Sequence, residues 1–227
     1  MRKQAKPIRR VQQKKKTNWL MIAGGTVLGA VIMFGALYLA LREPPTQSLA
    51  AYCEANPERC EVLGSSEAPV SVVEVSDYGC PHCRDFNLDK ATPLEGQYVS
   101  NGTAKWVVVP FALDDIRQPA AEAAMCAGDQ GKFFEYHRAL FELQDTTLAF
   151  TRDGYLSAAQ SVSIPDMDAF TQCMDSREYR GIVRDNRSAA SLAGVSGTPT
   201  FFINDVKVEG NQPLNVFQQR IEESATN

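Results

Sequence analysis

Cys80-Pro81-His82-Cys83 sets two thiols three residues apart, just after a β-branched run and at the start of a helical pattern. A cysteine at a helix start aims its sulfur at unpaired backbone N–H groups and at the positive end of the dipole, which favour thiolate over thiol. Cys80 is therefore expected to titrate well below the free value of about 8.5. His82 can lower it further, as a cation or as a donor. Cys83, one turn on, lies deeper and can close a small ring with the first sulfur. A stable Cys80 thiolate is a good leaving group, so the Cys80/Cys83 disulfide is disfavoured relative to the dithiol and oxidises its clients. The plainer alternatives are a structural bond and half of a zinc site. Zinc prefers four N/S ligands, often from paired motifs. Cys53, Cys60, Cys126 and Cys173 form no second C-x-x-C, and His137 is the only other histidine. No metal and no cofactor are expected.

The elements that must position this pair follow from periodicity. Val70 to Val75 reads as a buried strand between Pro69 and Gly79. Helical sequence runs over residues 83–98, bent or broken before Pro93. Asn101-Gly102 is a turn, and residues 105–109 form a second strand ended by Pro110. Residues 118–192 are helical, cut by Gly128, Gly131, Gly154 and Pro165. His137 lies there among Phe133, Phe134, Tyr136, Leu140 and Phe141, which marks it as a core residue. Thr200 to Ile203 and Val206 to Glu209 flank Asn204-Asp205, a tight hairpin turn. Pro213 opens a last helix with Leu214, Val216, Phe217 and Ile221 on its apolar face.

Charge divides the chain. Residues 1–16 hold eight of the 23 Lys and Arg and no acid, leaving 15 basic against 27 acidic residues, a net −12, in the remainder. An acidic body of this kind argues against nucleic acid as a partner. Residues 17–41 carry no charge, and a helix of that length, roughly 37 Å, crosses a hydrocarbon layer of about 30 Å. Trp19 and Tyr38 stand near its ends, and Lys14 to Lys16 keep the amino side cytoplasmic. The reading is a cytoplasmic tail at 1–16, a transmembrane anchor at 17–41, and a linker with the Cys53/Cys60 loop at 42–65. A cleaved secretory signal is the rival, with Ser48-Leu49-Ala50 as its cut site, but the apolar run exceeds the usual h-region of about 7–15 residues. A lipoprotein signal does not fit, because Leu49 lies four residues before Cys53. Both surviving readings put the rest of the chain outside the cytoplasm.

Two stretches together, Asp77-Tyr78-Gly79-Cys80-Pro81-His82-Cys83 and residues 194–202, Gly-Val-Ser-Gly-Thr-Pro-Thr-Phe-Phe, resemble the DsbA-like branch of the thioredoxin superfamily. The resemblance covers roughly residues 66–223. It implies an α/β thioredoxin-like fold with an inserted helical domain at about 118–192, here preceded by the transmembrane helix. The Pro81-His82 dipeptide is the one associated with oxidising members. The resemblance also implies that Thr198-Pro199 is a cis peptide facing the active-site sulfurs, where neighbouring backbone can pair with an extended client. An ordinary trans proline opening a strand is the plainer reading. Thr198 stands where the strongest oxidants of the family often carry another residue. Glu74, six residues before Cys80, matches the family's buried acid, a proton acceptor for Cys83. Its alternation with Val73 and Val75 also allows a water-facing acid.

Six cysteines allow 15 pairings, and three remain once 80–83 is set aside. Cys53–Cys60, across a short loop, and Cys126–Cys173, between two helical segments, are the favoured structural pairs. A second redox pair at 53–60 is the sharper rival. The expected activity is that of a membrane-anchored, extracytoplasmic thiol:disulfide oxidoreductase, a dithiol oxidase that introduces disulfides into exported proteins through Cys80/Cys83. Its partners would be reduced exported proteins and a membrane protein that reoxidises Cys80/Cys83. A reductase or isomerase, for example in cytochrome maturation, and a non-catalytic peptide-binding module are the alternatives.

Overall fold

The computed structural model describes Met33, residues 48–204 and residues 206–226. The basic tail, the linker up to Gln47 and, apart from the exposed helical Met33, the anchor lie outside the described residues. Among the described residues no helix is long and apolar enough to cross a membrane. The chain divides into two units, Met1–Pro45 and Thr46–Asn227, and every element numbered below belongs to the second.

The described part of the segment read as a linker and loop, from Ser48 onward, is structured. Ser48 caps helix α1 (Leu49–Ala55) through Ala51 N–H, a 3-10 turn follows at Pro57–Arg59, and strand β1 spans Glu61–Leu63. Sequence periodicity passes over these because each is at most seven residues long. The Cys53–Cys60 disulfide ties α1 to the residue before β1.

Five strands form one sheet in the order β1-β3-β2-β4-β5. Strand β2 (Val70–Val75) lies at the centre, parallel to β3 (Ala104–Val108) and antiparallel to β4 (Thr200–Ile203). Strand β5 (Val206–Glu209) closes a hairpin with β4, with Asn204 at φ 49° in its turn. All six residues of β2 are buried, Glu74 included. A central strand covered on both faces has no water-facing side, which removes the solvent-exposed reading of Glu74.

Between β2 and β3 runs one continuous helical stretch. It begins as α2 (Pro81–Phe86), two residues earlier than periodicity suggests, because Pro81 occupies the first turn, where no N–H is needed. It continues through π turns at Asn87–Ala91 and Glu95–Val99 around the short α3 (Thr92–Leu94). Pro93 does not break it; the wide turns accommodate the proline that a regular helix rejects.

Five helices connect β3 to β4: α4 (Gln118–Gly128), α5 (Phe133–Glu142), α6 (Arg152–Ser161), α7 (Met167–Ser176) and α8 (Arg180–Leu192). Gly154 does not cut this block. It sits inside α6, where Thr151 caps its N–H and a Cβ would lie 2.1 Å from the Leu148 carbonyl oxygen. The break after α7 falls instead at Arg177, whose φ of 58° ends that helix. Cys126 on α4 is bonded to Cys173 on α7. Helix α9 (Leu214–Ala225) ends the described chain and buries Phe217 and Ile221.

Two apolar layers cover the sheet. Val70, Val72, Trp106 and Phe201 meet Phe86, Leu94, Phe217 and the helical block on one face. Val73, Val75, Val107 and Val109 meet α1 and Ala189, Ala190 and Ala193 on the other. The end of α8 thus covers the sheet, so a boundary at 192 assigns to the insertion a helix that completes the core. Asn186 of α8 ties this second layer. It is fully buried, accepts from Tyr52 Oη at 2.8 Å, and donates to the Arg59 carbonyl at 2.8 Å and the Pro110 carbonyl at 3.0 Å. Asn186→Ala removes three hydrogen bonds, two of them buried, and is expected to lower the unfolding free energy by about 2–4 kcal/mol, read from the midpoint of a urea titration.

Candidate active site

Cys80 ends the chain's exit from β2 and is the N-cap of α2, with extended backbone at φ −91° and ψ 117°. The turn that brings it there is tied by Asp77, whose carbonyl accepts Cys80 N–H at 3.0 Å and whose carboxylate accepts Gly79 N–H at 2.8 Å and Leu113 N–H at 2.7 Å. Arg117 lies against the bare Cα of Gly79, where a Cβ would stand 2.0 Å from Nε, and its Nε is 3.5 Å from Asp77. Gln144, after α5, donates from Nε2 to the Tyr78 carbonyl at 2.7 Å and the Cys80 carbonyl at 3.1 Å. The loop is therefore held from β2, from the segment after β3 and from the helical block.

The two thiols are free and unlike. Cys80 is partly exposed and Cys83 is fully buried. Cys80 is brought down to about 5, first by a hydrogen bond from the Cys83 thiol, then by the Thr198 side chain and by the backbone N–H groups of Cys83 and His82, against the opposing effect of burial. As a thiol it donates to the Thr198 carbonyl at 3.2 Å. Burial pushes Cys83 far up, and the hydrogen bond and charge at Cys80 add to this. One sulfur is thus ionised and the other protonated, with a single proton shared between them. The imidazole of His82 is exposed, and the backbone N–H of this residue is among the donors that lower Cys80. Pro81 supplies the first helical position.

Across from Cys80, the Thr198–Pro199 peptide is cis. The loop runs into β4, where Thr200 Oγ1 donates to the Gly197 carbonyl at 2.7 Å. Thr198 and Pro199 therefore stand beside Cys80, although 118 residues separate Thr198 from it. Cys53, Cys60, Cys126 and Cys173 lie outside this centre, paired with one another.

Behind the pair lies a buried polar cluster that motif reading reached only at Glu74. Trp106 Nε1 donates to Glu74 at 2.8 Å, Asn87 Nδ2 donates at 2.7 Å, and Ser76 Oγ donates as well. Loss of water raises the Glu74 carboxyl above its ordinary value, and these three donors oppose the rise. Asn87 also donates to the Cys83 carbonyl at 3.1 Å, and its Oδ1 lies 3.0 Å from His137 Nε2. His137 Nδ1 lies 2.6 Å from Tyr78 Oη. Asn87 had a signal in the sequence, a polar side chain one helical turn after Cys83. Trp106 and Gln144 had none, because their partners are distant along the chain, and Ser76, two residues after Glu74, had none because its partner was not known to be buried. Among the described residues no group of three or more His, Cys, Asp and Glu is set to hold a metal ion.

Alkylation of the reduced protein with iodoacetamide is expected to follow one group with a midpoint near pH 5. Cys83→Ala removes the largest stabilising donor and should raise that midpoint by at least one pH unit, read from the same rate profile.

A family model described as thioredoxin matches residues 57–223. The chain is 35% identical over 165 residues to the Na(+)/H(+) antiporter NhaA 3 of Salinispora tropica, covering 71% of this chain and 24% of that protein. It therefore spans about a quarter of that relative's length. It is 28% identical over 166 residues to the disulfide bond formation protein D of Bacillus subtilis, covering 71% of this chain and 75% of that one. The crystal structure of oxidised BdbD from Bacillus subtilis superposes with a TM-score of 0.66 at 25% identity, covering 73% of this chain and 92% of the other. The matched residues take in the sheet, the paired thiols and the cis-proline loop, and the chain belongs to the thioredoxin family, in its DsbA-like branch.

Proposed function

We propose that this chain is a protein disulfide oxidoreductase that introduces disulfides into exported proteins, held at the membrane by residues 17–41 with its catalytic domain outside the cytoplasm. The observation that carries the reading is the convergence of hydrogen-bond donors on Cys80 Sγ, which holds it ionised at neutral pH while Cys83 keeps its proton. A pair whose reduced form is stabilised in this way is a strong oxidant. The names of the Bacillus subtilis relatives support the chemistry, and the uncharged run with its basic flank supports the anchor.

In the oxidising direction a client thiolate attacks Cys80 Sγ and the Cys80–Cys83 bond breaks. Cys83 leaves as a thiolate and takes a proton from Glu74, which recovers one from solvent. A second client thiol loses its proton to water and attacks the client sulfur of the mixed disulfide. Cys80 then leaves as the thiolate that α2 stabilises. Two electrons have passed from client to enzyme, and a membrane partner that accepts them restores the Cys80–Cys83 bond. Backbone at Thr198 and Pro199 holds the client beside Cys80.

The full-length chain, oxidised, is expected to convert a reduced two-cysteine client to its disulfide, with Cys80→Ser losing at least 1,000-fold in rate. Titration of Cys80/Cys83 against glutathione should give a potential closer to about −120 mV than to about −270 mV. A value near the lower figure would make the chain a reductant, and full function in Cys80→Ser would make it a peptide-binding module. Cell fractionation tests the anchor: the full chain should sediment with membranes, and removal of residues 1–41 should release it.

A further inference from the structure

Behind the thiols, the helical block reaches the buried polar cluster through one imidazole. His137 is on α5, Glu74 is on β2, and Asn87 follows α2; the three side chains are buried together with Tyr78. Hydrogen-bond polarity in this group is determined step by step. Asn87 Nδ2 spends both hydrogens, one on Glu74 Oε1 at 2.7 Å and one on the Cys83 carbonyl at 3.1 Å. Its Oδ1 therefore faces His137 Nε2 at 3.0 Å, and that nitrogen must carry the proton. His137 Nδ1 is then an acceptor, and Tyr78 O–H donates to it at 2.6 Å. The reverse amide orientation sets Oδ1 against the Cys83 carbonyl, which has no proton to give, whatever tautomer the ring adopts. Only the first orientation gives every partner its hydrogen bond.

The ring stays neutral in this role. Burial holds His137 down to about 3, with the Arg138 charge acting in the same direction. The other groups facing Glu74 are few. Arg138, paired with Glu95 after α3, pulls the Glu74 carboxyl down, and His137 Nε2 stands 3.9 Å from it. Tyr78 and Trp106 complete the surroundings. Neutral His137 therefore acts on Glu74 through the amide between them rather than as an ion-pair partner.

We propose that His137 is a positioning residue for disulfide exchange: its Nε2–H locks the Asn87 amide, and Asn87 in turn holds Glu74 and the turn at Cys83 in the arrangement that lets buried carboxyl and buried thiol exchange a proton. The proposal rests on the oxidoreductase reading and adds to it a role for the helical insertion. That domain does more than cover the site; it sets the polarity of the group behind it.

The test follows the Cys83 step by itself. Reduced full-length chain reacts with oxidised glutathione to give a Cys80–glutathione mixed disulfide. Cys83, having given its proton to Glu74, then attacks Cys80 Sγ; the bond to glutathione breaks, and glutathione leaves as a thiolate. Its release is timed by stopped flow from pH 4 to pH 9. His137→Leu keeps an apolar body among Phe133, Phe141 and Tyr78 and removes the N–H. It should slow release about tenfold and move the pH midpoint of the Cys83 step upward by about one unit, because Glu74 loses its oriented donor. Cys80 alkylation should not change, since its donors lie on α2 and at Thr198. His137→Gln, which keeps an N–H, should restore both release rate and midpoint to within about threefold.

Unchanged release and midpoint in a folded His137→Leu protein would overturn the proposal. So would loss of the same size in the Leu and Gln variants with no change in midpoint, the mark of a purely structural residue. Nitrogen-15 NMR of the wild-type ring gives a reading that needs no variant: the neutral Nε2–H form is expected between pH 5 and pH 8, and an Nδ1–H or charged ring would overturn the proposal. Failure of the wild-type chain to release glutathione through Cys83 would instead sink the oxidoreductase reading itself.

Discussion

A thiolate at the N-cap of a helix is the interaction on which the remaining architecture depends. The backbone N–H groups of His82 and Cys83 face the sulfur from the first turn, where Cys83 N–H also reaches the Cys80 carbonyl at 3.1 Å, so an anion at Cys80 is stabilised by donors that the helix start leaves available. Pro81 helps by occupying the position where no donor is needed. The sulfur has to sit there with little freedom, and three parts of the chain restrain the turn. Asp77 holds it from β2, Arg117 closes over Gly79, and Gln144 reaches in from beyond α5. Remove the turn and the dipole has nothing aligned to act on.

The difference between the two sulfurs comes from depth. Cys80 is at the surface end of α2, while Cys83 is one turn in, against the sheet. In a medium of low polarity the buried thiol resists ionisation, and a thiolate next to it raises that resistance further. The pair therefore behaves as one titrating unit that shares a proton. A buried Cys83 cannot exchange its proton with water directly, which gives a buried carboxyl something to do. Glu74 is costly to bury and is kept acceptable by Trp106, Asn87 and Ser76. It also sits on the central strand of the sheet, covered on both faces, so the fold that hides it supplies its donors.

The insertion reaches this centre through Gln144 on the loop and through His137, which bonds both Tyr78 and the amide of Asn87. These are hydrogen bonds with fixed direction, set among the apolar contacts by which the block packs on the sheet. The Cys126–Cys173 bond lies away from the site, between α4 and α7, and Cys53–Cys60 ties α1 near the edge strand. The four cysteines thus divide their work from the reactive pair by position: one pair braces the insertion, the other the start of the sheet.

Some of this was legible along the chain because it is local. The spacing of Cys80 and Cys83, the strand before them, the helix after them and the hairpin near Asn204 each rest on a few neighbouring residues whose preferences agree. Short elements were not legible: α1 and β1 are too brief to show a period, and they are held by a disulfide and by pairing with β3. Pro93 and Gly154 misled for a related reason, since a wide helical turn and a close carbonyl made room for residues that usually interrupt a helix. The surroundings of Glu74 were out of reach altogether. Whether an acid in a β-branched run faces water or protein depends on which strands flank it, and its donors come from 2 to 32 residues away along the chain. By itself the sequence determined which atoms could react and that a helix start would hold them. Only the tertiary structure decided where their proton goes, because burial and hydrogen-bond direction arise from segments that meet in space.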